Sequence, residues 1–230
     1  MCRMLAYIGE KEKLKKFAEC LVASAKDDPI THDVHSDGWG IVALQDDDII
    51  YYRNVNPIFK DKERLINIID SLKNAKVIIH ARLATDKSLV APYLSHPYME
   101  SNEKGIFFIA HNGSVDKQLL GEALGINPKL MVDSELIGKY IQKKGIEGVE
   151  DLIKYTKSAL NLLILYVDRE SRKSHLYYFN YYNKDYVKSK GIPEEYYKMY
   201  VGENYVFSSS LAYSGCDKMK EAEFGELKEL

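Results

Sequence analysis

The sequence predicts an α+β fold in which antiparallel sheets carry helices on their outer faces. Strand-like and helix-like segments come in blocks rather than in strict βαβ alternation, which favours covered antiparallel sheets over a parallel one. Two pairs of apolar runs, residues 41–44 with 49–53 and 162–167 with 175–181, read as hairpins. Two further segments gather Leu14, Phe17 and Leu21, and Leu65, Ile66 and Ile69, on single helical faces that need a partner surface to bury them.

Residues 2–8 read as a buried strand, followed by a helix over 12–25. A polar loop leads to Ser36-Asp37-Gly38-Trp39-Gly40, and the first hairpin turns at Asp46-Asp47-Asp48. A helix over 63–72 precedes a strand over 77–82. After a long loop containing Pro92 and Pro97, a strand over 106–110 ends at His111-Asn112-Gly113. Helices are expected at 119–124, 134–142 and 149–159, then the second hairpin, then a strand at 205–209. The last dozen residues mix charges and are expected to pack loosely. No internal repeat or low-complexity linker divides the chain, so residues 1–230 are expected to form one domain.

Charge excludes some function classes. With 32 basic and 34 acidic side chains, the chain has no basic field for nucleic acid and no strong acidic one. No apolar run approaches the roughly 20 residues that cross a bilayer. The apolar run at residues 4–8 is too short for a signal-peptide core, so a cytoplasmic location is expected. Cys2, Cys20 and Cys216 are odd in number and lack CxxC spacing, which argues against a disulfide framework and a zinc knuckle. The six histidines form no local metal-binding pair, and no metal is expected. Lysine and glutamate are abundant and glutamine is scarce, a thermophile-like signature.

Five features carry chemistry. Cys2 comes first because a small residue at position 2 permits removal of Met1, leaving nucleophile and α-amine in one residue. An α-amine has an unperturbed pKa of about 7.7–8.0, well matched to a general base. Taken alone, Cys2 reads more readily as a small buried core residue. His111-Asn112-Gly113 can aim an amide side chain and a backbone N–H at one point, as an oxyanion hole requires, though alone it reads as an Asn-Gly turn. Arg82, one of six arginines, lies among small and apolar neighbours; it suits a two-pronged grip on a carboxylate or, equally, a structural ion pair. Thr85 can add a hydroxyl. Asp133 opens a helix in Asp133-Ser134-Glu135; capping is the default reading, and an ammonium contact is the functional one. Trp39, flanked by Gly38 and Gly40, reads as core with close backbone packing.

In order, Met1-Cys2, Asp37-Gly38-Trp39-Gly40-Ile41, His80-Ala81-Arg82-Leu83-Ala84-Thr85, His96-Pro97, His111-Asn112-Gly113 and Asp133-Ser134-Glu135 resemble the class-II glutamine amidotransferases of the N-terminal-nucleophile hydrolase superfamily. No single motif is specific; the ordered set over about the first 140 residues is. The resemblance implies a four-layer αββα sandwich of two antiparallel sheets. It implies that Cys2 attacks the γ-carboxamide of glutamine, with Asn112 and the Gly113 N–H as oxyanion hole. Arg82 and Thr85 would bind the substrate α-carboxylate and Asp133 its α-ammonium, with no cofactor and no metal. A synthase subunit that accepts the ammonia is an implied partner. A stand-alone γ-glutamyl amide hydrolase and a catalytically silent binding module are the alternatives. The intact Cys2 and the Asn112-Gly113 pair speak against the silent module.

Overall fold

The computed structural model describes residues 1–230 except Asp47 and Met219. In chain order it comprises β1 (Arg3–Glu10), α1 (Lys11–Lys26), β2 (Trp39–Gln45), β3 (Asp48–Asn54), α2 (Lys62–Ser71), β4 (Asn74–Ala81), β5 (Tyr98–Ser101) and β6 (Gly105–Val115). It continues with α3 (Lys117–Leu124), α4 (Asp133–Lys144), β7 (Thr156–Asp168), β8 (Ser174–Phe179), α5 (Lys184–Lys190), β9 (Met199–Val201), β10 (Tyr205–Ser208), α6 (Ser210–Tyr213), β11 (Lys220–Glu221) and β12 (Leu227–Glu229). Among the described residues the strands form two antiparallel sheets, ordered β11-β9-β10-β1-β4-β2-β3 and β12-β8-β7-β6-β5.

Alternation along the strands builds the layers. In β1, Leu5 and Tyr7 pack under α1 and α2 with Phe17, Leu21, Leu65 and Ile69, while Met4 and Ala6 face the other sheet. In β6, Phe108 and Ala110 meet Met4 and Ile78 between the sheets, whereas Phe107 and Ile109 pack under α4 with Leu136, Ile137 and Ile141. Each sheet is therefore buried on one face by its partner and on the other by helices. This is the expected four-layer αββα sandwich, and the fold is α+β.

Both hairpins form, β2–β3 and β7–β8; Asp47, at the tip of the first, lies outside the described residues. Four expectations are corrected. Residues 149–159 are not an α-helix: a 3-10 turn over Glu150–Tyr155 gives way to β7 at Thr156, because β7 pairs with β6 as far back as Val115. His111-Asn112-Gly113 lies inside β6 rather than beyond its end, with an irregularity in register between Gly113 and Val115. The C-terminal residues are held: β12 pairs with β8, and Leu230 packs against the core between the sheets. Cys20 and Cys216 form a disulfide tying α1 to the C-terminal segment, with Cα atoms 5.9 Å apart; a pair separated by 196 residues leaves no local spacing to read. Among the described residues, no helix is long and apolar enough to cross a membrane.

Candidate active site

The start of β1 and the end of β4 are neighbours, Arg3 lying opposite Ala81. The chain on either side of that pair delivers Cys2 and Arg82 to one end of the sandwich. Extending the alternation of Met4 and Ala6 turns Cys2 toward the space between the sheets. His80 ties the sheets together there, its Nε2–H donating to the His111 carbonyl at 3.1 Å. Asn112, on the same face of β6 as Phe108 and Ala110, points into the same inter-sheet space.

A cleft of about 310 Å³ opens at this end, with Cys2, Arg82, Thr85, Gly113 and Asp133 in its wall. Asn112 is fully buried and does not reach the cleft surface. Both atoms of its side-chain amide lack a hydrogen-bond partner among the described residues. An unpaired buried amide costs about 1–3 kcal/mol, so packing gives no reason for Asn there.

Cys2 is 8% exposed. Its Sγ accepts from Leu83 N–H at 3.5 Å and lies 3.7 Å from the Leu83 carbonyl. Burial pushes the thiol pKa up, opposed by the chain's terminal amine, the Leu83 N–H and the Arg82 and Arg3 guanidiniums. Met1 precedes it in a polar and apolar cradle. The Met1 amine donates to Tyr196 Oη at 3.0 Å, and Tyr196 donates to Asp33 at 2.8 Å. The Met1 carbonyl accepts from His35 Nε2–H at 2.6 Å. Burial lowers the pKa of this amine and that of His35 to about 3, with Arg3 and the amine adding to the effect on His35.

Arg82 has no carboxylate partner among the described residues. One terminal nitrogen donates to the Leu89 carbonyl at 3.0 Å, and the other is buried and unpaired. The structural-ion-pair reading of Arg82 is thereby set aside. Thr85 is exposed on the cleft wall. Asp133 is not the N-cap of α4, a place taken by Val132. As the first helical residue, Asp133 accepts from Val115 N–H at 3.0 Å and Ser134 N–H at 2.9 Å. Its carboxylate thus joins β6 to α4 while facing the cleft.

Glycines and Asp37 set these positions. Gly113 has φ +146°, and a Cβ there would sit 1.9 Å from the Ala159 carbonyl oxygen, so only glycine permits the approach. A Cβ on Gly40 would meet the His96 carbonyl at 2.2 Å, so Gly40 lets the 92–97 loop cross β2. Trp39, between Gly38 and Gly40, is fully buried, as expected, its indole N–H donating to Asp61 at 3.1 Å. Asp37 accepts from Ala84 N–H at 2.7 Å and pairs with Lys87, pinning the loop that follows Arg82.

Four further residues, His96, His111, Ser114 and Lys117, also line the cleft, and no sequence pattern gave them a role. His96 is 3% exposed, stacks on His80 at 4.0 Å, and has neither ring nitrogen paired among the described residues. His111 donates from Nε2 to Ala159 at 3.3 Å and so accepts at Nδ1 from Ser134 Oγ at 2.9 Å. Burial lowers the pKa of both rings, favouring the neutral form. The motifs His96-Pro97 and His111-Asn112-Gly113 contained these residues, but nothing in the sequence separated a cleft ring from a core ring.

The chain spans about half the length of the first two solved proteins it resembles. It aligns over 100% of its length with 47% of glutamine phosphoribosylpyrophosphate amidotransferase from B. subtilis (TM-score 0.66, 16% identity). It aligns likewise with 46% of an allosteric regulatory enzyme of purine biosynthesis (TM-score 0.69, 18% identity). A glutamine aminotransferase class-II domain protein from Silicibacter pomeroyi matches 99% of this chain and 94% of its own (TM-score 0.51, 14% identity). At such identities the likeness is one of fold. A comparison with curated proteins finds no match. The sequence model described as "Glutamine amidotransferases class-II" matches residues 1–144, more than half of the chain. This protein therefore belongs to the class-II glutamine amidotransferases, enzymes that hydrolyse the amide of glutamine.

Proposed function

We propose that residues 1–230 act as one glutaminase domain whose nucleophile is Cys2 after removal of Met1. The observation that carries this reading is the convergence of Cys2, Arg82, Gly113 and Asp133 on one cleft, with an unpaired guanidinium nitrogen on Arg82 and an unpaired amide on Asn112. A volume of about 310 Å³ corresponds to roughly ten water molecules, suited to an amino acid the size of glutamine. Arg82 and Thr85 hold the α-carboxylate, and Asp133 holds the α-ammonium. The freed Cys2 α-amine takes the thiol proton as Sγ bonds to the γ-carbonyl carbon. Asn112 and the Gly113 N–H receive the oxyanion. Collapse breaks the C–N bond, and the amine's proton leaves with ammonia. Water then cleaves the γ-glutamyl thioester, giving glutamate and the thiol.

The ammonia goes to a synthase partner, or the hydrolysis serves a γ-glutamyl amide for its own sake; both readings use the same residues in the cytoplasm. A panel of glutamine and γ-glutamyl amides, assayed for glutamate release with the processed protein, tests the proposal. Turnover of glutamine or a γ-glutamyl amide supports it. No turnover of any member by protein lacking Met1 overturns it.

A further inference from the structure

We infer that the space occupied by Met1 is a leaving-group subsite, which after processing receives the apolar amine portion of a γ-glutamyl amide. The inference rests on the proposal that Cys2 is the processed N-terminal nucleophile, and it names the substrate class of that site.

Met1 is held as a ligand would be. Its carbonyl accepts from His35 and its amine donates to Tyr196. Its side chain packs against a cluster formed by Ala159, Tyr182, Val187, Tyr196 and Tyr197. This cradle is apolar and aromatic with two polar anchors, the usual composition of a small-molecule site. Removing Met1 exposes it beside the new α-amine.

The chemistry directs the leaving group there. The Cys2 thiol adds to the γ-carbonyl, the C–N bond breaks, and the departing amine takes the thiol's proton through the Cys2 α-amine. The substrate nitrogen must then lie against Cys2 N. Whatever that nitrogen carries extends into the space next to Cys2 N, which Met1 fills by being bonded to it. The cradle and the cleft also meet at Ala159. Its carbonyl accepts from His111 and presses on Gly113, both in the cleft wall, while its side chain belongs to the Met1 cluster.

Charge sets the class of amine. Arg3 is neutralised by Asp28 at 2.5 Å, both fully buried. Asp33 acts on the Met1 amine and is hydrogen-bonded to Tyr196. His35 is held neutral by its burial. Apolar amines are therefore accepted, and an anionic substituent meets the Asp33 carboxylate, while the Arg3 guanidinium over the Tyr196 ring is already paired with Asp28.

The test uses wild-type protein shown by intact mass to lack Met1, with L-glutamine, γ-glutamyl n-butylamide and γ-glutamyl 2-sulfoethylamide as substrates. The butylamide is expected to exceed the sulfoethylamide in kcat/KM by about tenfold or more, the scale of a few well-buried methylene groups. Ile192, at the half-buried rim of the cradle, can be enlarged without overpacking the core. Ile192→Trp is expected to lower the butylamide-to-glutamine ratio of kcat/KM about fivefold or more. Turnover of glutamine with the butylamide no better than the sulfoethylamide overturns the subsite and leaves the glutaminase intact. An unchanged ratio in Ile192→Trp also overturns it. Turnover of none of the three overturns the glutaminase reading and the subsite with it.

Discussion

Arg82 and Asn112 each hold a buried hydrogen-bonding group with no partner among the described residues, and neither is explained by packing. A guanidinium nitrogen left open beside a cleft, with its twin fixed on Leu89, is pre-organised for one carboxylate oxygen. Arg82→Lys keeps the charge but loses the fork, so KM for glutamine is expected to rise at least about tenfold with little change in melting temperature. A fall in melting temperature with KM unchanged would assign Arg82 to the scaffold. Asn112 gives the opposite pairing of effects. An oxyanion donor acts on charge that develops only in the transition state, and its loss costs on the order of 10²–10³-fold in kcat. Asn112→Leu, similar in shape and free of the unpaired amide, is expected to lose that activity without losing stability. Steady-state kinetics and thermal melts on the same samples check both variants; a rise in KM with kcat intact would mean that Asn112 binds ground-state substrate.

The elements deliver these side chains through contacts that local pattern does not encode. Asp37 follows a polar loop and pins the residues after β4 through Ala84 and Lys87. Asp37→Ala is expected to loosen Arg82 and Thr85 and raise KM severalfold, while alkylation of Cys2 by a small thiol reagent continues at its normal rate. An unchanged KM would show that the loop holds without Asp37. Strands and helices with clear periodicity, such as β1, α1, α2 and the two hairpins, were legible because burial on one face writes a period of 2 or 3.6 into the sequence. The segment at 149–159 misled for the complementary reason. Its apolar spacing suits a helix, but pairing of β7 with Gly113 and Val115 overrides local preference from more than forty residues away. The short β5, β9, β11 and β12 escaped notice because each exists only through its partner. The ordered motifs named Cys2, Arg82, Thr85, Gly113 and Asp133, which the fold brings to one cleft. The cradle of His35 and Tyr196 around Met1 was not, since it joins residues 195 positions apart in the chain.

At the scale of the whole molecule, buried histidines and one covalent tie set the response to conditions. His35 and His80 are fully buried and held at a pKa of about 3, against about 6.5 in an unfolded chain. The folded state therefore binds fewer protons at these rings than the unfolded state between those values, and their contribution to stability is complete above pH 6.5 and declines as pH falls toward 3. His96 and His111 shift in the same direction. Melting temperature is expected to fall steadily from pH 6.5 to 4; a flat profile over that range would contradict the burial of neutral rings. The Cys20–Cys216 bond closes a loop of nearly the whole chain, for which constraint of the unfolded state is worth up to about 5 kcal/mol. Unfolded, unreduced protein should titrate as one thiol, that of Cys2, and reduction should lower the melting temperature; three thiols would contradict the bond. Every step of the proposed reaction passes through Cys2. The most direct measurement is glutamate release from glutamine by protein whose intact mass shows Met1 removed, compared with Cys2→Ala of matching melting temperature. Turnover is expected in the first and none in the second; glutamine hydrolysis that persists in Cys2→Ala would contradict a Cys2 nucleophile.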